Sequence, residues 1–337
     1  MKYIPPKRSA GTLETKRVKQ PWPKGKPFRI LSIDGGGICG ILPAAILAEY
    51  ERRFLNGGSI SSSFDMIAGT STGGIIALAL GQEMPAKDIL DLYVEQGPAI
   101  FPPVGRFKKA VASVQSLLRY QYDPSALKQA LQKKFNDTHF GASNTPLCIP
   151  AFEGVHGEPY IFKTPHHPDY KRDQHEKIVT VGLATSAAPT YFPPVENNGY
   201  QMVDGGIWAN NPVMIAIVDA LACFDITSDQ IQILSLGCGA TQFSLSEKHK
   251  TGGIISWKDA INASLRAQSL NALGQAYLLA GKPNVVRLDA PDNINGIDLD
   301  DYTRAAAELP AFGKSLADGS GGIVSEMFLS SKTYEES

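Results

Sequence analysis

The chain lacks several things that would have placed it quickly. Its four cysteines, Cys39, Cys148, Cys223 and Cys238, are scattered and form no CxxC pair. That spacing argues against a disulfide frame or a zinc knuckle and reads as buried thiols in a reducing compartment. No charge of one sign dominates, since 32 Lys and Arg face 33 Asp and Glu for a formal net charge of −1; this removes any global case for nucleic-acid binding. No apolar run approaches the roughly 20 residues that span a bilayer. The opening residues, Met1 to Arg8, have no apolar core of the kind a secretory signal carries. No internal repeat is visible. Together these absences lead to the expectation of a cytoplasmic globular protein that, if it uses lipid, meets it at the membrane surface.

At 337 residues and 43 % apolar content the chain can build one substantial core. Residues 1–27 form a basic, proline-containing arm, with Lys2, Lys7, Arg8, Lys16, Arg17, Lys19, Lys24 and Lys26 against Glu14 alone. Such an arm is either a solvated tail or a contact for anionic headgroups. From residue 28 onward strand-like and helix-like runs alternate, with no convincing linker as far as residue 320. That alternation predicts a single α/β domain over 28–320, followed by a tail at 321–337.

Two glycine-rich turns stand out. The first follows the apolar run Phe28–Ile33 and reads Asp34-Gly35-Gly36-Gly37-Ile38-Cys39-Gly40, before an apolar helix from Ile41. Gly35, Gly37 and Gly40 satisfy GxGxxG, so a dinucleotide site has to be weighed. That reading needs an acidic residue at the end of the next strand. The next strand candidate, Phe64–Ala68, ends instead in Gly69-Thr70-Ser71-Thr72-Gly73-Gly74. Asp65 sits at its start, the wrong end. The alternative is that successive glycines expose N–H groups that bind an acyl oxyanion. The second turn, GxSxG between a strand and a helix-compatible run, describes a nucleophile elbow carrying Ser71. An anion nest and a serine elbow in one chain favour acyl transfer over nucleotide binding.

Further along, Pro98–Pro103 is expected to break the helical region 84–135 as a loop. Arg106 to Tyr120 is basic and partly amphipathic, so residues 98–120 are a candidate lid. Pro146–Phe152 and Pro159–Phe162 read as two strands. His166, His167 and His175 fall in a loop without ordered ligand spacing, and no metal site is expected there. Ala184–Pro194 reads as a helix of small residues stopped by proline. Tyr200–Val203 leads into Asp204-Gly205-Gly206, which puts an acid at the end of a strand. Ile231–Gly237 and Val285–Leu288 are further strands, and 256–280 and 301–318 are helical in pattern. Ser71 needs a base. Asp204 supplies one directly as a dyad; a triad in Ser-Asp-His order would add His249, the one histidine after Asp204. His249 lies in a polar, loop-like segment, so the dyad is preferred.

The blocks Asp34–Gly40, Gly69–Gly73, Ser186-Ala187-Ala188-Pro189 and Asp204-Gly205-Gly206 occur in the order seen in patatin-like phospholipases, and the resemblance covers roughly residues 28–212. It implies a patatin-like three-layer α/β/α sandwich with a mainly parallel central sheet. It implies hydrolysis of membrane phospholipid esters without a cofactor or metal. Ser71 would be the nucleophile, Asp204 its base, and the N–H groups of Gly35, Gly36 and Gly37 the oxyanion hole. Asp34, Gly40, Gly69, Gly73, Gly205 and Gly206 would support these turns. The chain departs from the pattern at Cys39, where the family usually has Arg, a fork of donors that cysteine cannot supply. In size and in its opening Ile33–Gly37 it also resembles bacterial members that act as anti-phage effectors, which implies a cyclic-nucleotide activator and action at the inner membrane surface. Neither a nucleotide pocket nor an oligomeric state, a homodimer included, is assigned by sequence.

Overall fold

The computed structural model describes residues 3–7, 17–102, 120–239, 260–290 and 296–329. Most of the lid candidate (103–119), His249, much of the basic arm and the end of the tail (330–337) lie outside them. Among the described residues the strands are β1 (Phe28–Ile33), β2 (Met66–Gly69), β3 (Leu147–Glu153), β4 (Glu158–Lys163), β5 (Val195–Asn197), β6 (Tyr200–Asp204), β7 (Ile231–Leu236) and β8 (Val285–Leu288). The helices are α1 (Ile41–Phe54), α2 (Thr72–Gly81), α3 (Ala86–Ile100), α4 (Ser125–Phe135), α5 (Ile178–Thr185), α6 (Gly206–Ala209), α7 (Val213–Cys223), α8 (Ala260–Ala280) and α9 (Tyr302–Val324).

The strand order is β5-β6-β3-β2-β1-β7-β8, with β4 also paired to β3. The stretch from β3 to β8 is parallel, and the β3–β4, β3–β6 and β5–β6 pairings are antiparallel. The period-two alternation of the strands sorts the two covering layers. Leu31 and Ile33 of β1, with Leu234 and Leu236 of β7, enter the larger core under α1, α2 and α9. Phe28 and Ile30, with Ile231 and Ile233, enter a second core under α7 and α8. Each of these side chains is fully buried, worth about 1.5–3 kcal/mol apiece for the aliphatic ones. Both sheet faces are covered, so the inner strands read as continuous apolar runs.

Two expectations are corrected. The helix α3 continues through Pro98 to Ile100 rather than breaking there. Pro98 has no N–H to offer the carbonyl one turn back, and the Tyr302 hydroxyl donates to that Val94 oxygen at 2.9 Å instead. The small-residue helix lies earlier than expected: α5 ends at Thr185, and Ser186–Pro194 is turn and extended chain, with Thr190 at φ 72°.

The histidine loop is pinned to the second core. Asp219, on α7, accepts from Lys163, from His166 Nε2 at 2.6 Å and from the Tyr170 hydroxyl at 2.6 Å. Thr164 Oγ1 accepts the Leu147 N–H at 2.8 Å and hydrogen-bonds His166 Nδ1 at 2.8 Å. Cys148 joins His166 and Asp219 within 4.8 Å, while Lys163 pairs with the other Asp219 oxygen, Oδ1. Burial raises the Asp219 carboxyl, yet the His166 hydrogen bond and the Lys163 charge outweigh it and hold it well below the usual carboxylate range. A depressed folded value contributes stability above the unfolded value, lost as pH falls. Asp219→Ala leaves the largely buried Lys163 without its counter-ion, keeping only its hydrogen bond to Tyr170; a loss of about 3–5 kcal/mol is expected in denaturant unfolding at pH 7, shrinking below pH 4.

Candidate active site

The site is made where β3 changes partner. On one edge β3 pairs with β2 through Leu147 and Cys148, then with β6 through Ala151, Phe152 and Glu153. Pro150 sits in the gap between them. Its carbonyl accepts the Thr185 hydroxyl at 2.6 Å, and the N–H it lacks on that edge deprives no ladder partner. Because β6 runs antiparallel to β3, its last residue, Asp204, lies closest to the end of β2. The chain leaving β2 turns through Thr70 into Ser71 and α2. The two strand ends therefore deliver Ser71 and Asp204 to one point.

Ser71 holds φ 55° and ψ −120°, a conformation that costs a non-glycine residue about 1–3 kcal/mol. Neighbouring bonds fix it. The Ser71 N–H donates to Thr185 Oγ1 at 3.0 Å, the Ser71 carbonyl accepts from Ile75 at 3.0 Å, and Thr70 Oγ1 donates to the Ala209 carbonyl at 2.6 Å. Gly73 allows the close approach: a Cβ there would collide with the carbonyl oxygens of Ile33 and Asp34. The Ser71 hydroxyl donates to Asp204 Oδ2 at 2.6 Å, and the Gly206 N–H donates to Asp204 Oδ1 at 2.7 Å. Burial pushes the Asp204 carboxyl up to about 6, and these two hydrogen bonds only partly offset it. Among the described residues Asp204 forms no ion pair.

The glycine loop faces Ser71 across the same cavity. A Cβ at Gly35 would run into the Asn210 Oδ1, and the Gly35 N–H is already committed to the Asn210 carbonyl at 2.9 Å. The expected trio of donors thus narrows to two. Among the described residues the N–H groups of Gly36 and Gly37 meet no protein acceptor. Gly37 has φ 55° and lies against the Leu299 carbonyl, which accepts the Ile38 N–H at 2.8 Å. Gly40 lies against Thr72, Gly69 against Gly73, and Gly205 against Pro150. Asp34, Gly35, Gly36, Gly37, Ser71, Asp204 and Gly206 all line one cavity of about 890 Å³. Its lining also includes the apolar Leu92, Ile100, Phe101, Leu131 and Phe192 and the charged Arg287, Asp289 and Asp298.

Two groups escaped the sequence reading. Thr185 bridges the serine elbow to β3 and was noted only as one of several small residues. Arg287 grips Asp34 with both ends of its guanidinium, at 2.9 and 2.7 Å, and also binds Asp289 at 2.6 Å and Ser235 at 2.8 Å. The signal was a lone Arg inside the apolar strand Val285-Val286-Arg287-Leu288, whose burial requires a partner. Cys39 takes no part in this fork; its thiol faces the Ile297 carbonyl at 3.8 Å. The donor fork at the root of the glycine loop comes from β8 instead. Arg287→Ala leaves Asp34 buried alone, and calorimetry is expected to report a loss of about 3–5 kcal/mol. Arg287→Lys should recover only part, because an ammonium cannot make the two-pronged contact.

Residues 31–217 match a family model described as patatin-like phospholipase. A cGAMP-activated phospholipase of Pseudomonas aeruginosa (strain BWHPSA011 / Pa011) is 35 % identical over 211 residues, 62 % of this chain and 62 % of that protein. A cGAMP-activated phospholipase of Vibrio cholerae serotype O1 is 33 % identical over 324 residues, 86 % of this chain and 90 % of that protein. Patatin-like protein 2 of Arabidopsis thaliana is 40 % identical over 222 residues, 59 % of this chain and 54 % of that protein. The match thus spans less than two thirds of the Pseudomonas and Arabidopsis relatives. The family match takes in both glycine-rich turns and the strand that ends at Asp204 and extends over more than half of the sequence, so this chain belongs to the patatin-like phospholipase family.

Proposed function

We propose that this protein is a serine lipid acyl hydrolase of the phospholipase A type, cleaving carboxylic ester bonds of membrane phospholipids through a Ser71–Asp204 dyad. The observation that carries the reading is the 2.6 Å hydrogen bond from the Ser71 hydroxyl to Asp204, made in a cavity that also holds the unpartnered N–H groups of Gly36 and Gly37. In the reaction Ser71 Oγ attacks the acyl carbonyl while its proton passes to Asp204 Oδ2. The amides of Gly36 and Gly37 stabilise the tetrahedral oxyanion. Protonated Asp204 then returns the proton to the departing alcohol, leaving an acyl-serine. Water, deprotonated by Asp204, hydrolyses that ester and releases the fatty acid. The apolar wall from Leu92 to Phe192 suits the acyl chain. Among the described residues no helix is long and apolar enough to cross a membrane; in this reading the protein meets its lipid at the cytoplasmic membrane surface. The bacterial relatives named as cGAMP-activated phospholipases support a cyclic nucleotide as the activator; a role in antiviral defence is part of the proposal.

Fatty-acid release from phospholipid vesicles, with and without a panel of cyclic di- and trinucleotides, tests this reading. Release should require a nucleotide and should fall by about 10⁴-fold or more in Ser71→Ala and in Asp204→Asn. His249→Ala should stay within about twofold of wild type; a collapse there would replace the dyad by a triad. Release without any nucleotide would make the enzyme constitutive.

The buried base sets the pH response. Asp204 must be ionised to accept the proton, so kcat/KM should rise with pH through about 6 and level off above it. Stability runs the other way. A carboxyl raised on folding contributes stability below its unfolded value, lost as pH rises through its folded value. Asp204→Asn, which keeps both hydrogen bonds in reach, should therefore stabilise the protein by about 1–3 kcal/mol at pH 8 and by much less at pH 4. Equal unfolding midpoints for wild type and Asp204→Asn at pH 8 would contradict a buried, uncompensated base.

A further inference from the structure

Helix α8 is built inside out for a surface helix. Ala272, Ala276 and Ala280 form one face at four-residue spacing and enter the second core. Leu273 packs on that core, but three other leucines point outward: Leu270 is 56 %, Leu278 89 % and Leu279 39 % exposed, beside the uncharged polar Asn271 and Gln275. Arg266 is the one charged residue in the 21 residues of this helix. Against it packs α7, where Val218 is 58 % exposed and the one charged residue, Asp219, is buried. Single exposed apolar residues are ordinary. A two-helix outer surface carrying large apolar side chains and almost no charge is not, and marks a contact surface.

This face runs into the mouth of the catalytic cavity. Leu270 and Ile207 both line that cavity and both stand in solvent, Ile207 being 43 % exposed on α6. We propose that the outer face of α8, with Val218 and Ile207 beside it, is the surface that this protein lays on a phospholipid bilayer. The proposal rests on the lipid-hydrolase reading for the choice of occupant. A protein seated on Leu270 and Ile207 would stopper the mouth. A bilayer there opens the cavity to its substrate, and the leucines enter the acyl boundary while Ser71 stays in the protein. The face then serves to bring the cavity to the lipid, so one phospholipid need move only from the leaflet past Leu270 to reach the dyad.

The test separates docking from chemistry. Flotation of the full chain as Ser71→Ala, with vesicles of phosphatidylethanolamine and phosphatidylglycerol, reads binding without hydrolysis. Adding Val218→Glu and Leu278→Glu, neither of which lines the cavity, is expected to cut vesicle binding about tenfold or more. In the Ser71 background the same pair of substitutions should lower fatty-acid release from vesicles by a similar factor. Hydrolysis of a water-soluble short-chain ester should be unchanged, which also verifies folding. A Leu278→Trp variant should show fluorescence quenching by vesicles with brominated acyl chains. Unchanged flotation in the double variant, or no quenching at position 278, would overturn the proposal. So would a wild-type dimer that the glutamates dissociate while vesicle binding persists. Absence of soluble-ester hydrolysis in the wild type, with the panel of cyclic nucleotides present, would count against the hydrolase reading alone, since flotation and quenching are read without catalysis.

Discussion

The sharing of one edge of β3 between two strands is the constraint on which the site depends. A strand edge offers a single row of donors and acceptors, so β6 can pair only where β2 has stopped. That exclusion places the end of β6 beside the end of β2, and the two ends carry Asp204 and Ser71. The elbow's unfavourable backbone angles are tolerated because Thr185, Ile75 and Ala209 hold it on three sides. The strand register brings the two ends together, and the short Thr185 side chain ties the elbow to β3.

Three buried aspartates show how environment assigns work to one chemical group. Asp219 is surrounded by donors and a lysine, stays ionised, and anchors the loop around His166 to α7. Asp34 is held by a two-pronged arginine and fixes the root of the glycine loop. Asp204 receives one hydroxyl and one amide and no ion pair among the described residues, so its negative charge is poorly compensated and its appetite for a proton is high. Burial pushes the Asp34 carboxyl up to about 6 as well, but Arg287 holds both of its oxygens; Asp204 is the raised acid that touches the serine hydroxyl and is the one suited to take its proton.

Much of this was legible in the chain. The strands from Phe28, Ile231 and Val285 show as short apolar runs because both sheet faces are covered. The two glycine-rich turns show because close backbone approach excludes side chains. What stayed hidden was tertiary. Nothing local in Pro98 announces that Tyr302 will satisfy the carbonyl it strands, so a loop was expected where α3 continues. Gly35 looks identical to Gly36 in sequence; only the fold turns its N–H toward Asn210. Arg287 is separated from Asp34 by most of the chain, and its role depends on β8 lying on the far side of β7. The small-residue segment was placed a few positions late, since Ser186 to Pro194 carries the small side chains while Ile178 to Thr185 carries the helix.

The glycine loop is tied down at both ends by late parts of the chain. Its root is gripped by Arg287 and its exit by the Leu299 carbonyl. Synthesis runs from the N-terminus at about 5–20 residues per second. A nascent chain that has emerged only through Asp204 therefore holds Ser71 and Asp204 but neither fastening of the loop that faces them. The order of translation leaves the N–H groups of Gly36 and Gly37 unset until β8 and the turn before α9 have been made, so the cavity is completed only late in synthesis.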